Sequence, residues 1–432
     1  MSHRGLIRGL AVIGITGMIM GMVVAGVSAG GTQEQQDAQP ASEADEAPRT
    51  GESGELPPEP PVPTEELPEA FVNQTPPGRA VNEFDTDFSR ATVSYAEVLS
   101  GGPPKGGIPA LDRPRFETVQ EASQWVADQE PVMVLESSLV RDEQSPGGDS
   151  VHVYPLQVIM WHEIVNDEID GKPVTVTYCP LCNTGIAFSR RHEGAVLSFN
   201  TTGRLRFSNL LMFDRQTESW WQQASGDSVA GFFAGTRLQT VPVMMLPFSE
   251  VRESMPDARV LSKDTGFNRA YGSNPYRGYD SSSEPFLLRN ASGLSDPGTD
   301  GPGLLDRVVS LEHDGETTSV TYSALQEELL VERTLSGERF YFLWEAGTAS
   351  ALDSSSIADG QDVGSGNAFY ALTRDGTAVE LTVEGERIVD ATGSRWNAAG
   401  RAVSGPREGE RLRPAVGVQH FWFSHAALVA RD

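Results

Sequence analysis

Residues 154–191 read YPLQVIMWHEIVNDEIDGKPVTVTYCPLCNTGIAFSRR, and this stretch decides the fold class. From Pro173 the period is two: Val174, Val176 and Tyr178 share one face, Thr175 and Thr177 the other. That alternation predicts a strand, with a turn at Asp170-Gly171 before it. After the Cys179-Pro-Leu-Cys182 corner, Ile186-Ala187-Phe188 resumes a strand. Upstream, Pro155 suits the first turn of a helix, and Leu156, Ile159, Met160 and Ile164 fall at helical spacing. Val158, Trp161 and Val165 are apolar as well, so the pattern predicts a buried helix that carries His162 and Glu163.

Outward from this stretch, strands and turns dominate. Thr118 to Glu121 is a capping box, Pro131 to Leu135 a strand, and Asp314-Gly315, Asp375-Gly376 and Glu384-Gly385 are hairpin turns. Short helices are expected near Ser249 and, from a second capping box, at Ser323 to Gln326. Residues 281–303 and 345–367 read as long surface loops, and no internal repeat is visible. The fold class is therefore α+β and β-rich: one large, mostly antiparallel β domain with a few short helices, over residues 81–432.

The N-terminal part is different. Arg4 and Arg8 precede an apolar run, and Val27-Ser28-Ala29 fits a signal-peptidase site, so residues 1–29 read as a signal peptide or a membrane anchor. Residues 30–80 are rich in acid and proline and poor in large apolar groups, the composition of a disordered linker. The expectation is an exported protein, extracellular or anchored at the cell surface. Asn73, Asn200 and Asn290 head glycosylation sequons.

The formal net charge is -27, with three lysines (Lys105, Lys172, Lys263) among 33 basic residues. Many acids with almost no lysine is a halophilic composition, because salt screens the self-repulsion. It also excludes nucleic acid as a partner, since no basic patch exists to neutralise phosphates.

The two cysteines carry the candidate chemistry, and three readings stand side by side. A structural disulfide suits an exported chain with an even cysteine count, although so short a loop adds only about 2 kcal/mol. A thiol–disulfide oxidoreductase of thioredoxin type wants the first thiol at a helix N-terminus, and Asn183-Thr184-Gly185 leads into a strand instead. A metal knuckle lets Cys179 and Cys182 point at one ion, with Asn183 taking the left-handed conformation. In that reading His162 completes the set, His192 and Glu163 are neighbours, and thiolate plus imidazole suits copper or zinc.

A second constellation, Arg204, Arg206, Asp214, Arg215, Glu218, Trp220 and Trp221, is either a polar pocket or a set of paired charges that lock strands. Tyr271, Tyr276 and Tyr279 surround Asn274-Pro275 as a self-packed loop or a ligand surface.

Several runs are similar to a known family. They are Leu99-Ser-Gly-Gly-Pro-Pro-Lys-Gly-Gly-Ile-Pro109, Tyr154-Pro-Leu156, Trp161-His-Glu-Ile-Val-Asn-Asp167, Tyr178-Cys-Pro-Leu-Cys182, Ser208 to Trp220, and Asp264-Thr-Gly266 through Tyr276. Ser394-Arg-Trp396 and Phe421-Trp-Phe423 echo it more weakly. The chain thus resembles the exported prokaryotic proteins of domain of unknown function 3179, a name that implies no activity. Arg141 to Ser150 and residues 345–367 depart from that pattern. The functional expectation is a soft-metal-binding or redox-associated protein with a redox or metal-delivery partner. The alternative is a non-enzymatic surface module that binds a ligand.

Overall fold

The computed structural model describes residues 56–63, 67–71, 74–288 and 301–430. The apolar run at 9–29, most of the acidic linker, Asn73, Asn290 and residues 289–300 of the predicted loop lie outside them. The described chain is β-rich, with a few short helices and almost wholly antiparallel sheets, as the alternating pattern predicts.

Its organisation is one the sequence reading missed. Strands β1 (Pro131–Glu136) and β2 (Val151–Pro155) lead into helix α1 (Leu156–Ile159) and then strands β3 (Ile164–Ile169), β4 (Lys172–Cys179) and β5 (Thr184–Ser189). There follow β6 (Phe199–Arg206), β7 (Asn209–Asp214), β8 (Trp220–Gln222), β9 (Ser228–Ala230), β10 (Thr240–Val241), β11 (Met244–Pro247) and α2 (Phe248–Ser254).

The same order then recurs. It begins with β12 (Arg307–His313), β13 (Glu316–Thr321), α3 (Tyr322–Glu328), β14 (Leu330–Leu335), β15 (Glu338–Glu345) and β16 (Ser365–Thr373). It closes with β17 (Leu381–Glu384), β18 (Arg387–Asp390), β19 (Arg395–Trp396), β20 (Ala402–Ser404), β21 (Leu412–Pro414), β22 (Gly417–Phe421) and α4 (Trp422–Leu428).

The strand pairings recur too. β11 pairs β1 and β1 pairs β2, as β22 pairs β12 and β12 pairs β13. The meander β3-β4-β5 with β10 on its edge matches β14-β15-β16 with β21. The four-strand run β6 to β9 matches β17 to β20. The domain is therefore an internal duplication, which corrects the expectation of no repeat.

Side chains confirm the correspondence. Trp221 Nε1 donates to Asp214 Oδ2 at 2.9 Å, and Trp396 Nε1 donates to Asp390 Oδ2 at 3.0 Å. Each aspartate also accepts from a threonine backbone N–H and hydroxyl, Thr217 in one and Thr392 in the other. The repeats share one interior: Val132, Val134 and Leu246 of the first pack in the same cluster as Tyr341, Phe369 and Trp396 of the second. Strand β22 of the second repeat pairs with β5 of the first at Gln419 and Gly185, which joins both into one eight-stranded sheet.

Five local expectations need correction. The helix after Pro155 is only four residues long, because Glu163 turns left-handed (φ 59°) and the β-branched Ile164-Val165 starts a strand; His162 and Glu163 thus sit in a corner. The helix at Tyr322 is capped by Thr321, not by a box at Ser323. Residues 345–367 are no surface loop, since Ala351, Leu352 and Ile357 are buried in the core. Order also begins before residue 81, where Gln74 bonds Phe71 O, Val93 O and the N–H of Tyr95. Asn200 is buried, so its sequon offers no glycan site.

Candidate functional site

The Cys179–Cys182 corner is a single tight turn between two sheet strands. Cys179 ends β4, Pro180–Cys182 is one turn of 3-10 helix, and Asn183 takes the left-handed conformation (φ 49°) that lets β5 begin at Thr184. Asn183 is held there by its side chain, whose Oδ1 accepts from the Tyr178 hydroxyl at 2.9 Å. Strand β5 stands where a thioredoxin-type dithiol has a helix. Both sulfurs are free and fully buried.

The two thiols are not equivalent. Cys182 Sγ accepts from Asn209 Nδ2 at 2.8 Å. Asn209 is fixed in turn: its Nδ2 also donates to Gln223 Oε1 at 2.8 Å, and its Oδ1 accepts from Gln222 and from the N–H of Ala224. Burial raises the pKa of Cys182, but hydrogen bonds from Cys179, Thr184 and Asn209 outweigh it and hold the thiol below its ordinary value. Cys179 has only one such bond, from the Leu210 backbone, and it does not offset the opposing effects. Burial, Cys182 and the nearby Glu163 carboxyl all push it up, so of the pair Cys182 gives up its proton the more readily.

Glu163 is the third member of this site. Its backbone closes helix α1 (N to Ile159 O, 2.6 Å) and accepts from the N–H of Tyr178 at 2.8 Å. Its side chain is turned into the protein, where burial pushes its pKa up to about 8 against the partial relief of the Tyr276 hydroxyl. The duplication supplies a control. In the second repeat Leu329 takes the same left-handed corner (φ 62°), bonds Leu325 O at 2.7 Å and accepts from Trp344 N at 3.0 Å. The fold is content with leucine there, so it does not require the buried carboxyl.

His162 is not part of this cluster. Its Nδ1 lies 2.8 Å from Pro109 O, which can only accept, so Nδ1 carries the proton and Nε2 accepts from the Tyr271 hydroxyl at 2.7 Å. Burial lowers its pKa to about 4, which keeps the ring neutral. With both nitrogens engaged, the metal set of Cys179, Cys182 and His162 does not form. Among the described residues no three His, Cys, Asp or Glu side chains converge on a metal position. His192 is elsewhere, boxed by Trp221 and Phe233 with Nε2 2.9 Å from Thr236 Oγ1.

The charges of the second constellation are paired across strands. Arg204 pairs with Glu83 at 2.8 Å, Arg206 with Glu97 at 2.7 Å, Arg215 with both oxygens of Asp112 at 3.0 Å, and Glu218 with Lys105 at 2.7 Å. Each charge is taken by one partner from residues 83–112, which ties that segment across β6 to β8. Asp214 serves Trp221 and Thr217, and Trp220 packs against Phe84 and Phe88. Of the tyrosines, Tyr276 and Tyr279 lie near enough to the thiols to feel their charge, whereas Tyr271 belongs to His162. Sequence reasoning missed Asn209; a lone amide opening the apolar run Leu210 to Phe213 was its only signal.

Fold and site together define a duplicated β-rich domain with one buried dithiol in its first repeat. The chain belongs to the family described as "Protein of unknown function (DUF3179)", whose profile matches residues 105–431. No curated protein and no solved structure matches it.

Proposed function

We propose that this is a redox-associated protein whose working groups are Cys179 and Cys182, with Glu163 as their proton exchanger. The observation that carries the reading is Glu163: a carboxyl buried near enough to Cys179 to raise its pKa, at a corner where the sister repeat has Leu329. A carboxyl near 8 can trade a proton with a thiol at neutral pH, which an ordinary carboxyl does poorly.

A low-molecular-weight disulfide is the oxidant class this dithiol suits. The Cys182 thiolate attacks one sulfur and expels a thiolate, leaving a mixed disulfide. Cys179 then passes its proton to Glu163 in its ionised form, a fraction that grows as pH rises toward 8, and attacks the Cys182 sulfur. The second external sulfur leaves as a thiolate and takes the proton from Glu163. One protein disulfide is formed and one external disulfide becomes a thiol and a thiolate. Export, expected from residues 1–29, would place this exchange outside the cytoplasm, where disulfides persist.

A metal reading is favoured by one observation, the convergence of two sulfurs without a third ligand among the described residues. Copper(I) accepts two thiolates, whereas zinc would lack its remaining ligands. Protein purified anaerobically and equilibrated in graded glutathione buffers, with metal content measured in parallel, decides between the two. Reversible loss of both alkylatable thiols without metal supports the exchange. One copper per chain supports the metal site. A bridge that resists mild reductant overturns both and leaves a structural disulfide.

A further inference from the structure

We propose that the cleft between residues 111–115 and 261–267 binds a small hydroxycarboxylate, independently of the dithiol. Its cavity of about 260 Å³ stands at the small end of ligand sites. Both walls are pinned to sheet strands, since Leu111 pairs with Val165 of β3 and Leu261 pairs with Phe116. Leu111, Leu261 and Phe267 give the cavity apolar sides, and Arg113, Arg115 and Thr265 bring polar groups to it.

The direction of the hydrogen bonds at Thr265 is set from behind it. Pro109 O takes the Nδ1 proton of His162, so His162 Nε2 accepts the Tyr271 proton at 2.7 Å. Tyr271 has no second proton to give. At the 2.5 Å contact between the two hydroxyls, Thr265 Oγ1 must therefore donate. That leaves the Thr265 oxygen as an acceptor only. Phe267 N–H uses one of its lone pairs at 3.2 Å, and the other meets no partner among the described residues. The sister repeat does without this chain. The residue before Leu329, and so the counterpart of the fully buried His162, is the exposed Glu328.

The charges around the cleft select the rest of the ligand. Asp112 is held through both oxygens by Arg215, and Asp264 is held by Arg115, so neither carboxylate is free. Arg113 is exposed, has no hydrogen bond or ion pair among the described residues, and sits in the left-handed conformation (φ 49°) that side chains disfavour. Arg269 adds a second cation, close enough for its charge to act on His162 and Tyr271. The cleft is thus cationic on a chain of net charge -27. A carboxylate matches the open fork of Arg113. An ammonium group would meet arginines and no free carboxylate. Sulfate brings only acceptors to an oxygen that can only accept. A carboxylate with a hydroxyl beside it satisfies both ends, the hydroxyl donating to Thr265 Oγ1.

The test is an NMR titration of the full chain with lactate, propionate, alanine and sulfate. The first three share one carbon skeleton and differ only in carrying a hydroxyl, a hydrogen or an ammonium group. Lactate should bind in the millimolar range and propionate roughly tenfold more weakly, the worth of one hydrogen bond. Alanine and sulfate should not bind. Arg113→Gln, at an exposed position, should weaken lactate and propionate alike by roughly tenfold or more. Thr265→Val keeps the side-chain shape and should erase the preference for lactate. Tyr271→Phe releases the Thr265 proton, which can then turn to the cavity, so this variant should admit sulfate. Equal binding of lactate and propionate, or binding of neither, overturns the proposal. So does a preference that survives Thr265→Val, an affinity untouched by Arg113→Gln, or a folded Tyr271→Phe protein that still rejects sulfate.

Discussion

Cys179 and Glu345 end the same strand of the two repeats: Cys179 faces Thr184 across the β4–β5 turn, and Glu345 faces Ser365 across β15–β16. In the first repeat four residues bridge that gap. In the second, residues 346–364 bridge it and reach back toward the first. Their backbone holds the tyrosine segment beside the thiols: Asn274 N bonds Ser355 O at 2.9 Å, Gly278 N bonds Asp353 O at 2.8 Å, and Tyr279 N bonds Leu352 O at 3.0 Å. The insertion at one corner thus fastens the cover over the other.

That arrangement predicts how the thiols become accessible. Asn274 Nδ2 donates to Ser354 O at 2.8 Å and its Oδ1 accepts from Tyr276 N at 2.7 Å. Asn274→Ala removes both bonds and should lower stability by about 1–2 kcal/mol. Alkylation of Cys179 and Cys182 by iodoacetamide in the native protein should speed up by roughly tenfold. A loss of stability with unchanged labelling would show that the thiols open by another route.

Glu163 predicts a pH dependence. Its folded pKa of about 8 stands above the unfolded value of 4.5, so the native state holds the extra proton between them. Its contribution is fully present below about pH 4.5 and is lost as pH rises through 8, on the order of a few kcal/mol. Thermal melts from pH 5 to pH 9 should show stability falling with rising pH, and Glu163→Gln should flatten that limb. In the same variant disulfide formation from the dithiol should slow while the thiols remain. An identical pH profile in the variant would falsify the assignment.

The β-rich class was legible because alternation is local: Val174, Val176 and Tyr178 announce β4 whatever surrounds them. The cysteine turn was legible for the same reason, through Asn183. The helix at Leu156 was overextended because apolar spacing cannot register that Glu163 turns left-handed. His162 was misplaced because its partners, Pro109 and Tyr271, are far away in sequence. The duplication escaped notice because its signature is thin, little more than Asp214, Thr217, Ser219 and Trp221 against Asp390, Thr392, Ser394 and Trp396. Its remaining evidence is strand pairing, which no single sequence displays.

Salt dependence follows from composition. With a net charge of -27 and three lysines, self-repulsion is screened only at high ionic strength. Dialysis to tens of millimolar salt should lower the melting temperature and cost β-sheet circular dichroism, and restored salt should recover both. Unchanged spectra across that range would show the charge to be incidental.

The duplication itself is testable at two glycines. Gly226 (φ 78°) lies against the Phe188 ring, and a Cβ there would stand 2.6 Å from it; Gly400 (φ 66°) meets the Phe369 ring in the same way. Phe188 faces Thr240, and Phe369 faces Pro414, in matching pairs of strands. Alanine at either glycine adds left-handed strain of about 1–2 kcal/mol and overpacking of about 1–3 kcal/mol. Both Gly226→Ala and Gly400→Ala should therefore destabilise by roughly 2–5 kcal/mol in urea unfolding, and by amounts within about 1 kcal/mol of each other. A neutral Gly400→Ala beside a costly Gly226→Ala would mean that the second repeat has relaxed the close backbone-to-ring approach that the first still requires.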